Sequence, residues 1–162
     1  MPIRGPFGIA LVILAIAVSS IAAAFVFEAL GYAPCELCLK ERIPYYAAIP
    51  VAGLAVLFAS RGPRSLLHAA FVALALIFAA SAVFGSYHAG IEWRFWPGPA
   101  ECTGALDRAA SVSDFLKQLQ SVKVARCDAP ALRILGLSLA SWNAVVSAGL
   151  AALAVAGARS RG

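Results

Sequence analysis

Charge is what this sequence has least of. Only 13% of its 162 residues are Asp, Glu, Lys or Arg, against 62% hydrophobic, whereas soluble domains run near a quarter charged and half apolar. A soluble globular domain is thereby excluded. Clustered basic residues are missing too: 13 Lys and Arg give a formal net charge of +5, but long uncharged runs separate them. The basic stripe of a nucleic-acid binder is absent, and no nucleic-acid partner is expected. Four cysteines are too few for a disulfide-dense secreted scaffold. The chain shows no internal repeat and no low-complexity linker, only a general enrichment in alanine.

What is present is apolar length. No charged residue occurs in 5–27, 43–60, 65–91 or 134–158, and a bilayer core of about 30 Å needs roughly 20 helical residues at about 1.5 Å each. The sequence therefore predicts an all-α, polytopic membrane protein, a four-transmembrane-helix bundle forming one domain over 1–162. The spans are expected at about 7–28, 35–59, 65–90 and 134–158. The second is set to begin ahead of Pro44, with Lys40 to Arg42 held at the interface. Arg4 and the small residues Ala22 to Ala24 also fit a cleaved signal peptide, an alternative that leaves every later span facing the same way.

With four crossings, Arg4, Arg61, Arg64, Arg159 and Arg161 lie on one side in short segments that contain no acid. The other eight basic residues share the opposite side with all eight acidic ones, in much longer segments. Density in short flanks sets orientation, so both termini are expected in the cytoplasm. Cys35, Cys38, Cys102 and Cys127 then fall on the outer side, oxidising in a bacterial-type inner membrane. Tyr32, Tyr45, Tyr46, Tyr87, Trp93 and Trp96 gather near the outer helix ends, as an aromatic belt would. Trp142, about two turns into the last span, is read as a packing residue. In the outer loop at about 92–133, Val112, Phe115, Leu116 and Leu119 recur at helical spacing behind Ser111, which predicts a short amphipathic surface helix at about 112–121.

Cys35-Glu36-Leu37-Cys38 is a C-x-x-C motif at the start of the second helix, where the positive helix end favours a thiolate. Leu39 stands where c-type haem attachment requires histidine. Cys35, Cys38 and Arg42 share one helix face, which puts a permanent cation one turn below Cys38. Arg42 either stabilises a Cys38 thiolate and a quinone oxygen or snorkels as an anchor. Glu41 and Lys40 read as solvated flank. Cys102 and Cys127 form a second natural pair, either a loop staple or one end of an electron relay. No metal site is expected, because a zinc centre built from all four cysteines has unsuitable ligand spacing. His88 and Glu92, one turn apart at the end of the third helix, are ionisable groups near membrane depth. His88 is a candidate donor to a quinone oxygen, whereas Glu92 fits a surface charge equally well. His68, at the other end, receives no role.

Taken together, the C-x-L-C motif with Glu41-Arg42 and Pro44, Tyr87-His88 to Glu92, Trp96-Pro97-Gly98-Pro99 before Cys102, and Cys127-Asp128 leading to Leu135-Gly136-Leu137-Ser138-Leu139-Ala140 and Trp142-Asn143 resemble the disulfide bond formation protein B (DsbB) family. This family comprises inner-membrane thiol:quinone oxidoreductases, and the likeness covers nearly the whole chain. It implies that a periplasmic DsbA-like thioredoxin-fold protein reduces a Cys102–Cys127 disulfide. It also implies that Cys127 passes the exchange to Cys35, and that Cys38 delivers electrons to ubiquinone or menaquinone held by Arg42 and His88. One departure is Leu132, where the family often has an aromatic residue. Two other readings stay open: a structural membrane protein with stapling disulfides, and a thiol oxidoreductase of the vitamin K epoxide reductase type. In the latter the redox motif comes late in the bundle rather than between the first two helices.

Overall fold

The computed structural model describes residues 5–99, 102, 111–113 and 126–160. Helix α1 covers Pro6–Ala29 and opens on a proline, where the missing backbone donor costs nothing. Helix α2 covers Glu36–Arg61, α3 Arg64–Glu92 and α4 Leu139–Arg159. All four are long and apolar enough to cross a membrane. Among the described residues the only strand is a two-residue ladder, β1 (Arg133–Ile134) against β2 (Leu137–Ser138). The chain is a multi-pass, all-helical membrane bundle, as its hydropathy predicts. The amphipathic helix expected at 112–121 lies outside the described residues except for its first two positions.

The charge-free run that begins at 134 opens as a hairpin rather than as helix. Leu135 and Gly136 both take positive φ (53° and 83°), the requirement of a two-residue turn whose twist matches its strands. Ser138 then accepts a hydrogen bond from the Ser141 N–H and caps α4. Trp142 donates its indole N–H to the Ile134 carbonyl at 3.0 Å. It therefore hooks the hairpin onto the start of α4, a role beyond the packing expected of it.

Helix α3 packs most extensively on α4, and α2 packs on both α3 and α1. Ala48, Ala52 and Ala55 of α2 share one core with Phe71, Leu74 and Phe78 of α3 and with Leu150 and Ala154 of α4. In lipid, helices gain little from hiding apolar surface from one another, so association depends on close packing, which small residues permit. The outward faces are equally apolar: Leu57, Leu76 and Val83 are each more than half exposed, a liability in water and ordinary against acyl chains.

The closeness of α3 and α4 can be tested at Gly157. A Cβ there would lie 2.4 Å from the ring of Phe71, which is fully buried and has nowhere to go. Gly157→Ala is expected to destabilise the bundle by about 1–3 kcal/mol, the usual cost of overpacking, seen as a lower melting temperature in detergent. Gly149→Ala on the same helix meets nothing within 4 Å and should not lower it. Equal melting of the two variants would refute the contact.

Candidate redox site

The first cysteine pair is built by the start of α2. Cys35 is the N-cap, in extended conformation, and its sulfur accepts the Cys38 N–H at 3.2 Å. One turn of helix therefore brings the two cysteines together, with Cα atoms 5.0 Å apart and the sulfurs joined as a disulfide. The free N–H groups of this helix end favour negative charge on sulfur once the bond opens.

The second pair is brought in by a fold-back after α3. Arg94 adopts a left-handed φ of 61°, and Trp96 turns back to stack on Tyr87 and donate to its carbonyl at 3.0 Å. Its ring covers Gly90 so closely that a Cβ there would come within 2.1 Å. Gly98 then passes Ile91 and reaches Cys102, which is disulfide-bonded to Cys127. Both disulfides lie in one buried cluster with Leu37 and Ile91. Beside Cys127, Arg126 clasps Asp128 through two hydrogen bonds of 2.9 and 2.7 Å, which holds the Asp128 carboxyl below the usual carboxylate range.

Behind Cys35 stands a buried polar chain. His88 Nε2 lies 3.6 Å from the Cys35 sulfur, and His88 Nδ1 is 2.7 Å from Glu41 Oε1. Asn143 donates to the other Glu41 oxygen at 3.0 Å, and Tyr45 donates to Asn143 Oδ1 at 2.8 Å. The Ser147 and Ser81 hydroxyls continue the chain from Tyr45 toward the middle of the bundle. Glu41 is thus no solvated flank. It is 8% exposed, because its position on α2 turns it toward α3 and α4, and both of its oxygens are satisfied there. Lys40, the adjacent residue, pairs instead with Glu36 at the surface. Glu92 ends α3, and one of its carboxylate oxygens is buried without a hydrogen-bond partner among the described residues.

Cys38, Glu41, Arg42 and Tyr45, all on one face of α2, open onto a largely apolar cavity of about 270 Å³. Helix α1 and the Asn143 stretch of α4 form its other walls. Arg42 reaches across to α1, donating to Glu28 at 2.9 Å with its guanidinium 5.3 Å from the centre of the Phe25 ring. The cavity can hold a ring-sized apolar ligand whose oxygens meet a guanidinium and a sulfur. Of the residues singled out from sequence, Cys38 and Arg42 meet at this cavity. His88 is not among its lining residues: it stands against Cys35, its two ring nitrogens turned to sulfur and carboxylate. Glu28, Glu41 and Asn143 were not anticipated as parts of the site. The signals were a carboxylate three residues beyond Cys38 within a membrane helix, and an asparagine with serine four residues on inside an otherwise apolar run.

The family model "Disulfide bond formation protein DsbB" matches residues 7–157. An uncharacterized protein of Rickettsia prowazekii (strain Madrid E) is 24% identical over 140 residues, covering 85% of this chain and 78% of that protein. No solved structure matches. With two disulfides gathered at one end of a four-helix membrane bundle, the chain belongs to the DsbB family, whose members are oxidoreductases of disulfide bond formation.

Proposed function

We propose that the protein oxidises a DsbA-like thioredoxin-fold dithiol protein at the expense of a membrane quinone, passing electrons through Cys102–Cys127 and then Cys35–Cys38. The observation that supports this reading best is the division of labour at the first pair. Cys35 faces the cluster that contains the second disulfide, whereas Cys38 lines the cavity with Arg42. Both cysteine pairs are assigned to the periplasmic side of a bacterial inner membrane and both termini to the cytoplasm, from the acid-free basic flanks at the opposite ends of the helices.

In this scheme a partner thiolate attacks Cys102, the more exposed residue of its pair at 6% against 1% for Cys127, and frees Cys127 as a thiolate. The partner's second thiol resolves the mixed disulfide and leaves as a disulfide. Cys127 attacks Cys35, which breaks the Cys35–Cys38 bond and frees Cys38. Cys102 then closes back on Cys127, so the first pair is left as a dithiol. Ubiquinone or menaquinone, when bound, supplies an acceptor for two electrons and two protons. Arg42 holds a fixed positive charge where the Cys38 thiolate forms and where a quinone oxygen would lie. Glu28 and Phe25 hold that guanidinium in place. Glu41 and Asn143 keep the His88 ring aimed at Cys35. The overall direction depends on the potentials of partner and quinone.

The test is a coupled measurement on the full chain in detergent, with ubiquinone-1, a menaquinone analogue and a reduced DsbA-like protein. Quinone absorbance is expected to fall in step with thiols, one quinone for each two thiols lost. No consumption of either quinone would leave the disulfides as staples and overturn the assignment.

A further inference from the structure

Cys35, Cys38 and His88 form a cluster with a second chemical capacity. Their three ligand atoms all lie within 4.8 Å of one another, and the Cys35 sulfur and His88 Nε2 are separated by 3.6 Å. Zinc bonds thiolate sulfur at about 2.3 Å and imidazole nitrogen at about 2.0–2.1 Å in tetrahedral geometry. Two such ligands on one ion therefore stand about 3.5 Å apart, so the Cys35 to His88 edge is already the edge of a zinc tetrahedron. The remaining nitrogen of His88 is held at 2.7 Å by a buried carboxylate oxygen of Glu41. That is the carboxylate–histidine arrangement which fixes the ring and the tautomer of metal-bound histidines.

Charge also balances. The two thiolates alone match the divalent charge, the Glu41 carboxylate adds one further negative charge beside the histidine, and the neighbouring Arg42 is neutralised by Glu28 at 2.9 Å. In the resting disulfide the two sulfurs are bonded to each other and no thiolate is available. Reduction supplies both. We propose that the reduced form of Cys35–Cys38 binds one thiophilic divalent cation of the zinc class through Cys35, Cys38 and His88, and that the disulfide form does not. The inference rests on the reading of Cys35–Cys38 as a pair that opens to a dithiol.

The step balances without any redox change at the metal. Two thiols and one cation give two metal–sulfur bonds and one metal–nitrogen bond, with two protons released. A fourth position remains for water on the cavity side, next to Cys38. While the ion is bound, the metal draws on the charge of both sulfurs and lowers their nucleophilicity, so it acts as a brake on protein that is reduced and waiting for an acceptor. It needs no partner and no quinone to bind.

The test uses the full chain in detergent with Cys102→Ser and Cys127→Ser, so that only the first pair can contribute thiolates. After reduction and removal of the reductant under argon, thiols are counted and Zn²⁺ is titrated against a chromophoric chelator. Co²⁺ is added separately as a spectroscopic probe. The expected results are one equivalent bound by the reduced protein, none above background by the oxidised protein, and sulfur-to-cobalt charge-transfer bands with tetrahedral d–d intensity. His88→Ala should weaken binding by about 100-fold, and Glu41→Gln by about 10–100-fold as the loss of an outer-shell partner.

Equal binding by the reduced and oxidised forms overturns the proposal. So does an affinity unchanged by His88→Ala. Should that variant fail to fold, a Co²⁺ spectrum of the histidine-containing protein without tetrahedral intensity is equally decisive. Failure of the quinone assay alongside redox-dependent zinc binding removes the quinone reading and leaves the metal site. A first pair that stays oxidised under strong reductant removes the premise of both.

Discussion

Cys38→Ser protein is expected to consume no quinone above the rate without protein, a loss on the order of 10⁴-fold or more, the scale on which removal of a nucleophile is felt. The change replaces one sulfur by a smaller oxygen and leaves the rest of the side chain unaltered, so the fold should survive. What disappears is the only sulfur of the first pair that lines the cavity. Cys38 lines it together with Arg42, whereas Cys35 does not and is turned toward His88. A serine hydroxyl neither forms a disulfide nor ionises at neutral pH, so electrons arriving at Cys35 have no onward route.

The same variant should still exchange with the reduced partner at Cys102–Cys127, because that disulfide keeps its own buried contacts. Trapping and counting of mixed disulfides without quinone therefore separates the two halves of the relay: exchange retained, quinone consumption lost. Cys35→Ser should lose turnover equally, but by stopping the transfer from Cys127 rather than delivery to the cavity. Quinone-dependent thiol oxidation persisting in Cys38→Ser would defeat the assignment, whatever the family.

The parts of the molecule that could be read in the sequence are those set by composition and short spacing. Four charge-free stretches fix four membrane helices because lipid admits little else. One helical turn fixes that Cys35, Cys38 and Arg42 share a face. What could not be read is which helix face meets which neighbour. In a soluble bundle polar outer faces reveal the core, but here Leu76 faces lipid and Leu74 faces the core, and the two look alike in sequence. Glu41 therefore looked like an interfacial charge. Its partners, His88 and Asn143, lie 47 and 102 residues away in the chain, beyond the reach of any local pattern. The hairpin at 133–138 was hidden for a related reason: in an apolar run, only Leu135-Gly136 hints at a turn.

The sequence also left Arg42 open between anchor and active-site cation, and its surroundings make a discriminating experiment possible. A snorkelling arginine has an exposed head, yet the Arg42 side chain is 12% exposed, bound to Glu28 and set over Phe25. Arg42→Met keeps much of the apolar stem and removes the charge. Loss of one fixed, charge-stabilising donor in a water-poor site typically costs about 10²–10³-fold in rate, or about 2.7–4 kcal/mol, so kcat/KM for quinone should fall by that amount.

Arg42→Lys should recover only part of the loss. The ammonium keeps the charge but cannot reproduce the planar fork that holds Glu28 on one side and reaches the cavity on the other. Disulfide exchange with the reduced partner in the absence of quinone should be unchanged in both variants, since Arg42 belongs to the cavity and not to the cluster of the two disulfides. An anchoring role predicts the reverse pattern: Lys restores everything, Met lowers the melting temperature, and quinone kinetics follow the amount of folded protein. A kcat/KM for quinone within about threefold of the unsubstituted chain in folded Arg42→Met would therefore return this residue to the membrane interface, and would leave the Cys38 thiolate to be stabilised by the N-terminus of α2 alone.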